Sequence, residues 1–486
     1  NKILKHPRGY EDYISLLFFN SITTCFDAHS HFMSKEVWKS FRADISKETD
    51  SFGFSLEEDN NGNIIIANIV PGGPAWKSNE LHKGDVIMQV SWENGAYEEL
   101  LGSDLEEVEY LLQNTISSEA SFKTRKKNGL INNVTLIKEK LEDDENIVKS
   151  FILEGEHKIG FISLPGFYTE WENLSGLGCA NDVAKEIIKL KKEGIEGLIL
   201  DLRYNGGGSL EESLNLAGIF IDEGPLFILK ERDEKPKLVK DMNRGTIYDG
   251  PLLVMVNGES ASASELVAAT LQDYNRAIIT GSQTFGKATG QAIIPLDTNA
   301  ANLANFTSPY GLASTTVYKL YRITGASNQA RGLTPDITIP DHSYLSESGE
   351  SKLFNAFHND SVAKKVYYKK LPPLPVKQLS ENSLERIRNN PGFQPSNFPK
   401  ENYQDFPLYI SGYLERINTI KNFYQEVETA PQKTTIYKIT NLIADQERMM
   451  IDVYGGILNK NRIDGLLSDI TLEESYNILC DYIKMK

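Results

Sequence analysis

Pro251-Leu252-Leu253-Val254-Met255-Val256-Asn257-Gly258-Glu259-Ser260-Ala261-Ser262-Ala263-Ser264-Glu265 is the stretch on which the reading of this chain turns. Its first six residues form a continuous apolar run, the signature of a strand buried on both faces, and Asn257-Gly258 ends that strand with turn chemistry. From Ser264 to Tyr274 the residues Leu266, Val267, Ala269, Thr270 and Leu271 suit a packed helix, and Ala277-Ile278-Ile279-Thr280-Gly281 reads as the next strand. Ser262 therefore falls where strand gives way to helix. Strands and helices alternate with short glycine turns over residues 141–343, which predicts an α/β layer with a largely parallel central sheet.

Downstream lies Thr284-Phe285-Gly286-Lys287-Ala288-Thr289-Gly290-Gln291. A serine hydroxyl is a weak nucleophile at neutral pH and needs a base within hydrogen-bond reach, a task a desolvated lysine can perform. The spacing of Ser262 and Lys287 fits that arrangement if a helix and a strand intervene. Orphan N–H groups at a helix start favour a developing oxyanion and oppose protonation of a nearby lysine. The residues alone leave Ser260 and Ser264 open as nucleophiles, since Ser/Ala-rich turns are also ordinary helix caps. No histidine lies between His157 and His342, which weakens a histidine base. Gly206-Gly207-Gly208 follows the apolar run Gly197-Leu198-Ile199-Leu200-Asp201-Leu202 and can turn backbone N–H groups into a site. No Gly-Lys-Ser/Thr follows, so a phosphate cradle is disfavoured.

Together with Asp27-Ala28-His29-Ser30-His31-Phe32-Met33, Ile162-Ser163-Leu164-Pro165-Gly166-Phe167-Tyr168 and Arg331-Gly332-Leu333-Thr334-Pro335-Asp336, these fragments resemble, in order, the tail-specific or C-terminal processing serine proteases of bacteria. The resemblance implies an α/β multi-domain chain with a crotonase/ClpP-like protease core, a PDZ-like domain and helical N- and C-terminal regions. It implies Ser262 as nucleophile, Lys287 as general base and Gln291 as the residue that orients the lysine amine. Asp273 falls on an acidic position of the motif and is read as structural. The N–H groups of Gly207, chosen over Gly208, and Ala263 would form the oxyanion hole. Two residues depart from the family pattern, Ala288 where glycine is common and Gly206 where proline is common.

Ser51-Phe52-Gly53-Phe54-Ser55-Leu56 resembles the carboxylate-binding loop and first strand of a PDZ domain. Strands are expected over residues 63–70 and 84–90, and Ser103-Asp104-Leu105-Glu106 reads as a capping box opening a helix with Leu105, Val108, Leu111 and Leu112 on its apolar face. Phe52, Gly53, Phe54, Ser55 and Leu56 would then line a groove for a free C-terminus with apolar last residues. The expected partners are protein or peptide substrates of that kind.

A chain of 486 residues exceeds one hydrophobic core. The expected organisation is a helical region over 1–50 with Tyr13-Ile14-Ser15-Leu16-Leu17-Phe18-Phe19 as its apolar core, a PDZ-like module over 51–140, a protease domain over 141–343, and a linker with helices over 344–486. Asp222 to Gly250 reads as a hairpin or lid. After Leu371-Pro372-Pro373-Leu374-Pro375, Ser383 is read as a helix cap, 408–427 as periodic, and Thr471-Leu472-Glu473-Glu474 as a capping box. The net charge of −16 argues against non-specific nucleic-acid binding. Cys25, Cys179 and Cys480 indicate no disulfide framework. His29 and His31 invite a metal, but a structural turn explains them, and no metal or cofactor is expected. Asn1-Lys2-Ile3-Leu4-Lys5 has no initiator methionine or apolar signal core, as in a processed chain, while the resemblance implies a bacterial periplasm or cell envelope. The function expected is a serine endopeptidase, its rivals a catalytically inactive PDZ-containing peptide-binding scaffold and an esterase or thioesterase on a crotonase-like fold.

Overall fold

A computed structural model describes residues 10–59, 62–93, 95–103, 105–114, 117–142, 147–170, 177–242, 244–297, 303, 308, 310–340, 349–363, 366–393, 409–412, 414–415, 434–446 and 453–486. The buried apolar runs build a seven-stranded sheet in the order Ile337–Thr338, Ile278–Gly281, Leu252–Val256, Gly197–Asp201, Lys158–Ser163, Lys149–Glu154 and Lys438–Thr440. The first five strands are parallel, and Lys149–Glu154 runs antiparallel to both neighbours.

A parallel sheet must be covered on both faces, and every residue of Gly197–Asp201 and Leu252–Val256 is buried. Leu252, Val254 and Val256 pack into one core with Val183, Ile187, Leu216, Val267 and Leu271 from helices Cys179–Lys192, Leu210–Phe220 and Ala263–Asp273. Leu253 and Met255 point the other way, onto Leu379 and Ile387 of helix Val376–Asn389 and Leu472, Tyr476 and Leu479 of helix Ile470–Lys484. The helices beyond residue 343 thus cover the second face of the central sheet. Two details there differ from expectation. Helix Val376–Asn389 starts directly after Pro375, so Ser383 is a buried residue inside it rather than its cap. The last helix is capped by Asp469, which accepts from the N–H groups of Thr471 and Leu472 and so starts the helix before the Thr471 box. Most of the periodic stretch 408–427 lies outside the described residues.

A five-stranded antiparallel sheet stands beside this core. His31–Met33, Leu312–Arg322, Gly224–Glu231 and Lys237–Asp241 follow one another, and Thr289–Pro295 also pairs with Leu312–Arg322. The charged stretch from Asp222 is thus a hairpin of this sheet. The N-terminal helix spans Tyr10–Thr23, yet Ile14, Leu17, Phe18 and Phe19 of its apolar run are exposed.

The third unit is an antiparallel sheet in the order Phe54–Glu58, Ile64–Ile69, Val86–Trp92, Glu119–Arg125 and Ile131–Ile137, with Phe54–Glu58 at its edge. Helix Leu105–Asn114 lies against the edge strand and buries Val108 and Leu112 in its core. Asp104 lies outside the described residues.

Candidate active site

Where Leu252–Val256 ends, side chains replace the lost strand pairing. Asn257 Oδ1 accepts from the N–H of Tyr204 at 3.0 Å and of Glu259 at 3.2 Å. Ser260 Oγ donates to the Leu202 carbonyl at 2.8 Å, Ser264 Oγ donates to the Asn205 carbonyl at 2.8 Å, and both serines are fully buried. Their hydroxyls are spent on holding the turn. Ser262 instead stands at φ +56°, ψ −112°, backbone that a non-glycine residue rarely adopts, and it faces an open cleft. That cleft is also lined by Lys287, Phe227, Leu266, Ala269 and Leu320.

The glycine turn closes directly on the serine. Gly207 sits at φ +105°, and a Cβ there would lie 2.8 Å from Ser262 Cβ, so only glycine allows this approach. The expectation that Gly207 also donates to an oxyanion meets a physical obstacle, because its N–H already donates to Asn205 Oδ1 at 2.9 Å. Among the described residues the N–H groups of Gly208 and Ala263 have no acceptor. Asn205 itself is locked by Nδ2 donating to the Leu164 carbonyl at 2.8 Å.

Lys287 arrives from the antiparallel sheet. Its Nζ donates to Gln291 Oε1 at 2.9 Å, and Gln291 Nε2 donates to Thr316 Oγ1 at 2.9 Å and Thr289 Oγ1 at 3.2 Å. Burial pushes the Lys287 amine below the usual lysine range, against the pull of Glu350, Glu265 and Asp27. No hydrogen bond joins Ser262 Oγ to Lys287 Nζ in this structure, a contact that in free enzymes often forms only with substrate. Asp273 is taken by a forked ion pair with Arg322, at 3.0 and 2.6 Å, which ties helix Ala263–Asp273 to strand Leu312–Arg322.

Glu265 was not singled out from sequence, yet it joins the two segments. Its Oε2 accepts from Ser262 N–H at 2.9 Å and Lys287 N–H at 2.8 Å, while Oε1 accepts from Thr284 Oγ1 at 2.5 Å and Gly286 N–H at 2.9 Å. It is buried, which pushes its carboxyl up to about 7 against four hydrogen bonds that favour the charged form. The available signal was a glutamate at the third position of the helix that follows Ser262, a capping geometry.

The edge strand of the third sheet differs from the expected groove. Phe52 and Leu56 point into the core, with the Phe52 ring edge-on to Phe122 at 5.1 Å, so these side chains do not line a surface. Ser55 is exposed and Phe54 half-buried. Gly53 turns the loop at φ +79°, where its N–H donates to Ser51 Oγ at 3.0 Å. The strand edge and the neighbouring helix Leu105–Asn114 are what this region offers a peptide.

The profile of peptidase family S41 matches residues 158–339, and that of the PDZ domain matches residues 42–102. A carboxy-terminal-processing protease of Bartonella bacilliformis is 30% identical over 322 residues, 66% of this chain and 68% of that protein. The chain belongs to peptidase family S41. A tail-specific protease of Haemophilus influenzae is 32% identical over 394 residues, 79% of this S41 chain but only 54% of the relative, so the chain spans about half the length of that protein. A probable CtpA-like serine protease of Staphylococcus aureus is 27% identical over 344 residues, 70% of this chain and 63% of the relative. The S41 match contains Ser262, Lys287 and Gln291, and the PDZ match contains the edge strand Phe54–Glu58.

Proposed function

We propose that this S41 chain is a serine endopeptidase that recognises the C-terminal tail of protein substrates and cleaves through an acyl-enzyme. Lys287 takes the Ser262 proton as the hydroxyl attacks a peptide carbonyl. The N–H groups of Ala263 and Gly208 hold the oxyanion, and Gly207 supplies the close packing that aims them. The resulting lysine ammonium protonates the leaving amine, after which water hydrolyses the ester with Lys287 again as base. Gln291 holds the lysine amine. The observation that carries this reading is one cleft faced by both Ser262 and a lysine whose amine burial has made less basic. Phe227, Leu266, Ala269 and Leu320 make the cleft wall apolar, which suits an apolar residue beside the scissile bond.

Tail recognition follows from the strand edge of Phe54–Glu58, to which a substrate's last residues add as a further strand while the Phe52–Phe54 loop receives the terminal carboxylate. Residues 51–140 act as the binding module and 141–343 carry the chemistry, with 344–486 completing the core beneath it. The relatives are bacterial proteins, and the site of action proposed is the periplasm or cell envelope. No helix among the described residues is long and apolar enough to cross a membrane.

The test is cleavage of an unfolded protein ending in three apolar residues, set beside the same protein ending in acidic residues. Faster cleavage of the apolar-tailed substrate supports the reading. Failure to cleave either would favour a peptide-binding scaffold, and preferential turnover of small esters would favour an esterase.

A further inference from the structure

Lys287 is held by Gln291, but a glutamine amide has two nearly equal ends and could present either to the amine. Only one end is useful. A neutral lysine amine has two N–H bonds and one lone pair, and the lone pair is what takes the serine proton. Gln291 Oε1 accepts one N–H and leaves the lone pair open. Gln291 Nε2 in the same place would donate to that lone pair and occupy the base.

The structure holds a chain of hydrogen bonds that settles which end faces Lys287. Gln291 and Thr316 are directly opposite across paired strands, and Gln291 Nε2 donates to Thr316 Oγ1 at 2.9 Å. Thr316 Oγ1 in turn donates to Asp27 Oδ1 at 2.9 Å. Asp27 is 4% exposed, and although burial raises its pKa, hydrogen bonds from Ser30 Oγ, His29 N–H, Thr316 Oγ1 and Ser30 N–H together hold the carboxyl below the usual range. An ionised carboxylate can only accept. The Thr316 hydroxyl must therefore point at Asp27, its lone pairs face Gln291, and the only group of Gln291 that can answer them is the NH₂. The amide oxygen is left for the lysine.

We propose that Asp27 is a positioning residue for Lys287, acting through Thr316 and Gln291 to keep the amide oxygen, and not the amide nitrogen, against the lysine amine. The inference rests on the reading of Lys287 as base. It gives a task to the Asp27–Met33 segment, whose strand His31–Met33 pairs with Leu312–Arg322, His31 opposite Ser314 and Met33 opposite Leu312. Thr316 N–H also donates to Ser30 Oγ at 3.2 Å, so the same turn fixes the backbone of the relay residue.

The test uses the full chain and two readouts. One is kcat and KM against pH on the apolar-tailed unfolded substrate. The other is the pH dependence of Lys287 reductive methylation, followed by peptide mass spectrometry, which reports the amine whether or not the protein turns over. The variants are Asp27→Asn, Thr316→Val and Thr316→Ser. Thr316→Val leaves the bonds among Asp27, His29 and Ser30 in place, so it separates the relay from the turn. The charged and titratable groups around Lys287 are Glu350, Glu265, Asp27 and His31, with His29 paired to Glu350 at 2.7 Å. Thr316→Val leaves all of them in place and takes from Asp27 one of its four hydrogen bonds.

With the amide unpinned, a donor replaces an acceptor beside the ammonium and disfavours the charged lysine. The acid limb of kcat/KM and the methylation midpoint should both move to lower pH in Thr316→Val. They should move further in Asp27→Asn, which also removes a negative charge. The plateau kcat should fall about 10- to 100-fold with KM little changed, and Thr316→Ser should restore most of it. Wild-type kcat and an unmoved methylation midpoint in both disabling variants would overturn the inference. So would a kcat loss that merely follows a lower melting temperature with the midpoint unmoved. A wild type that cleaves nothing would sink the protease reading while the methylation midpoints still decide this one.

Discussion

The two halves of the site are built on opposite principles. Ser262 belongs to the parallel sheet and is held by backbone geometry: a strained φ, a glycine turn pressed against its Cβ, and two flanking serines bonded to main-chain carbonyls. Lys287 lies in the loop just before strand Thr289–Pro295 of the antiparallel sheet and is held by side chains, through Gln291, Thr316 and Asp27. Few groups cross between the halves. Glu265 bonds to the backbone on both sides, and Asp273 pairs with Arg322. A nucleophile needs an exact direction, which backbone supplies, whereas a base needs a tuned proton affinity, which side-chain partners and burial supply.

The largest effect should come from the proposed base. Lys287→Met keeps the length and apolar stem of the side chain, so the fold should survive while kcat falls about 10²- to 10⁴-fold. Equal stability by urea unfolding with that loss of rate would place the effect in chemistry; a near-normal kcat would break the division of labour between the halves.

The nucleophile half should prove more sensitive in stability. Arg203, in the turn before the three glycines, pairs with Asp201 at 2.7 Å and with Asp469 at 2.6 Å, linking the turn to the cap of the last helix. Arg203→Met leaves buried Asp201 and half-buried Asp469 without their cation, and urea unfolding should show a loss of about 3–5 kcal/mol. A loss of less than about 1 kcal/mol would mean that the last helix does not brace this turn.

Glu265→Gln probes the junction with the smallest expected change. Three of the four donors to Glu265 are backbone N–H groups that cannot become acceptors, so a glutamine NH₂ must oppose at least one, at about 1–3 kcal/mol. The pH dependence sharpens this. The folded carboxyl titrates near 7 and its ordinary value is 4.5, so between those values the unfolded state binds fewer protons and the wild type loses stability as pH rises. The glutamine variant lacks that slope, and its deficit against wild type should narrow from pH 5 to pH 7.

Much of this was legible in the sequence because it depends on local pattern. Apolar runs bounded by glycine gave the buried strands, and the resemblance singled out Ser262, Lys287 and Gln291 among their neighbours. What was hidden depends on contacts distant in sequence. Asp27 reaches Thr316, and Asp469 reaches Arg203, through pairings that no local periodicity encodes. Phe52 and Leu56 were read as groove from the resemblance to a PDZ loop and first strand, but the strand's alternation turns both inward. Gly207 was preferred as a donor because the sequence does not reveal that Asn205 Oδ1 already takes its N–H.

Ser262, not Ser260 or Ser264, is the residue proposed to form the acyl-enzyme. Cleavage of the apolar-tailed unfolded substrate by Ser262→Ala is the direct measurement. Turnover should fall to background, with wild-type folding and tail binding retained; cleavage continuing at a rate comparable with wild type would refute the assignment of Ser262.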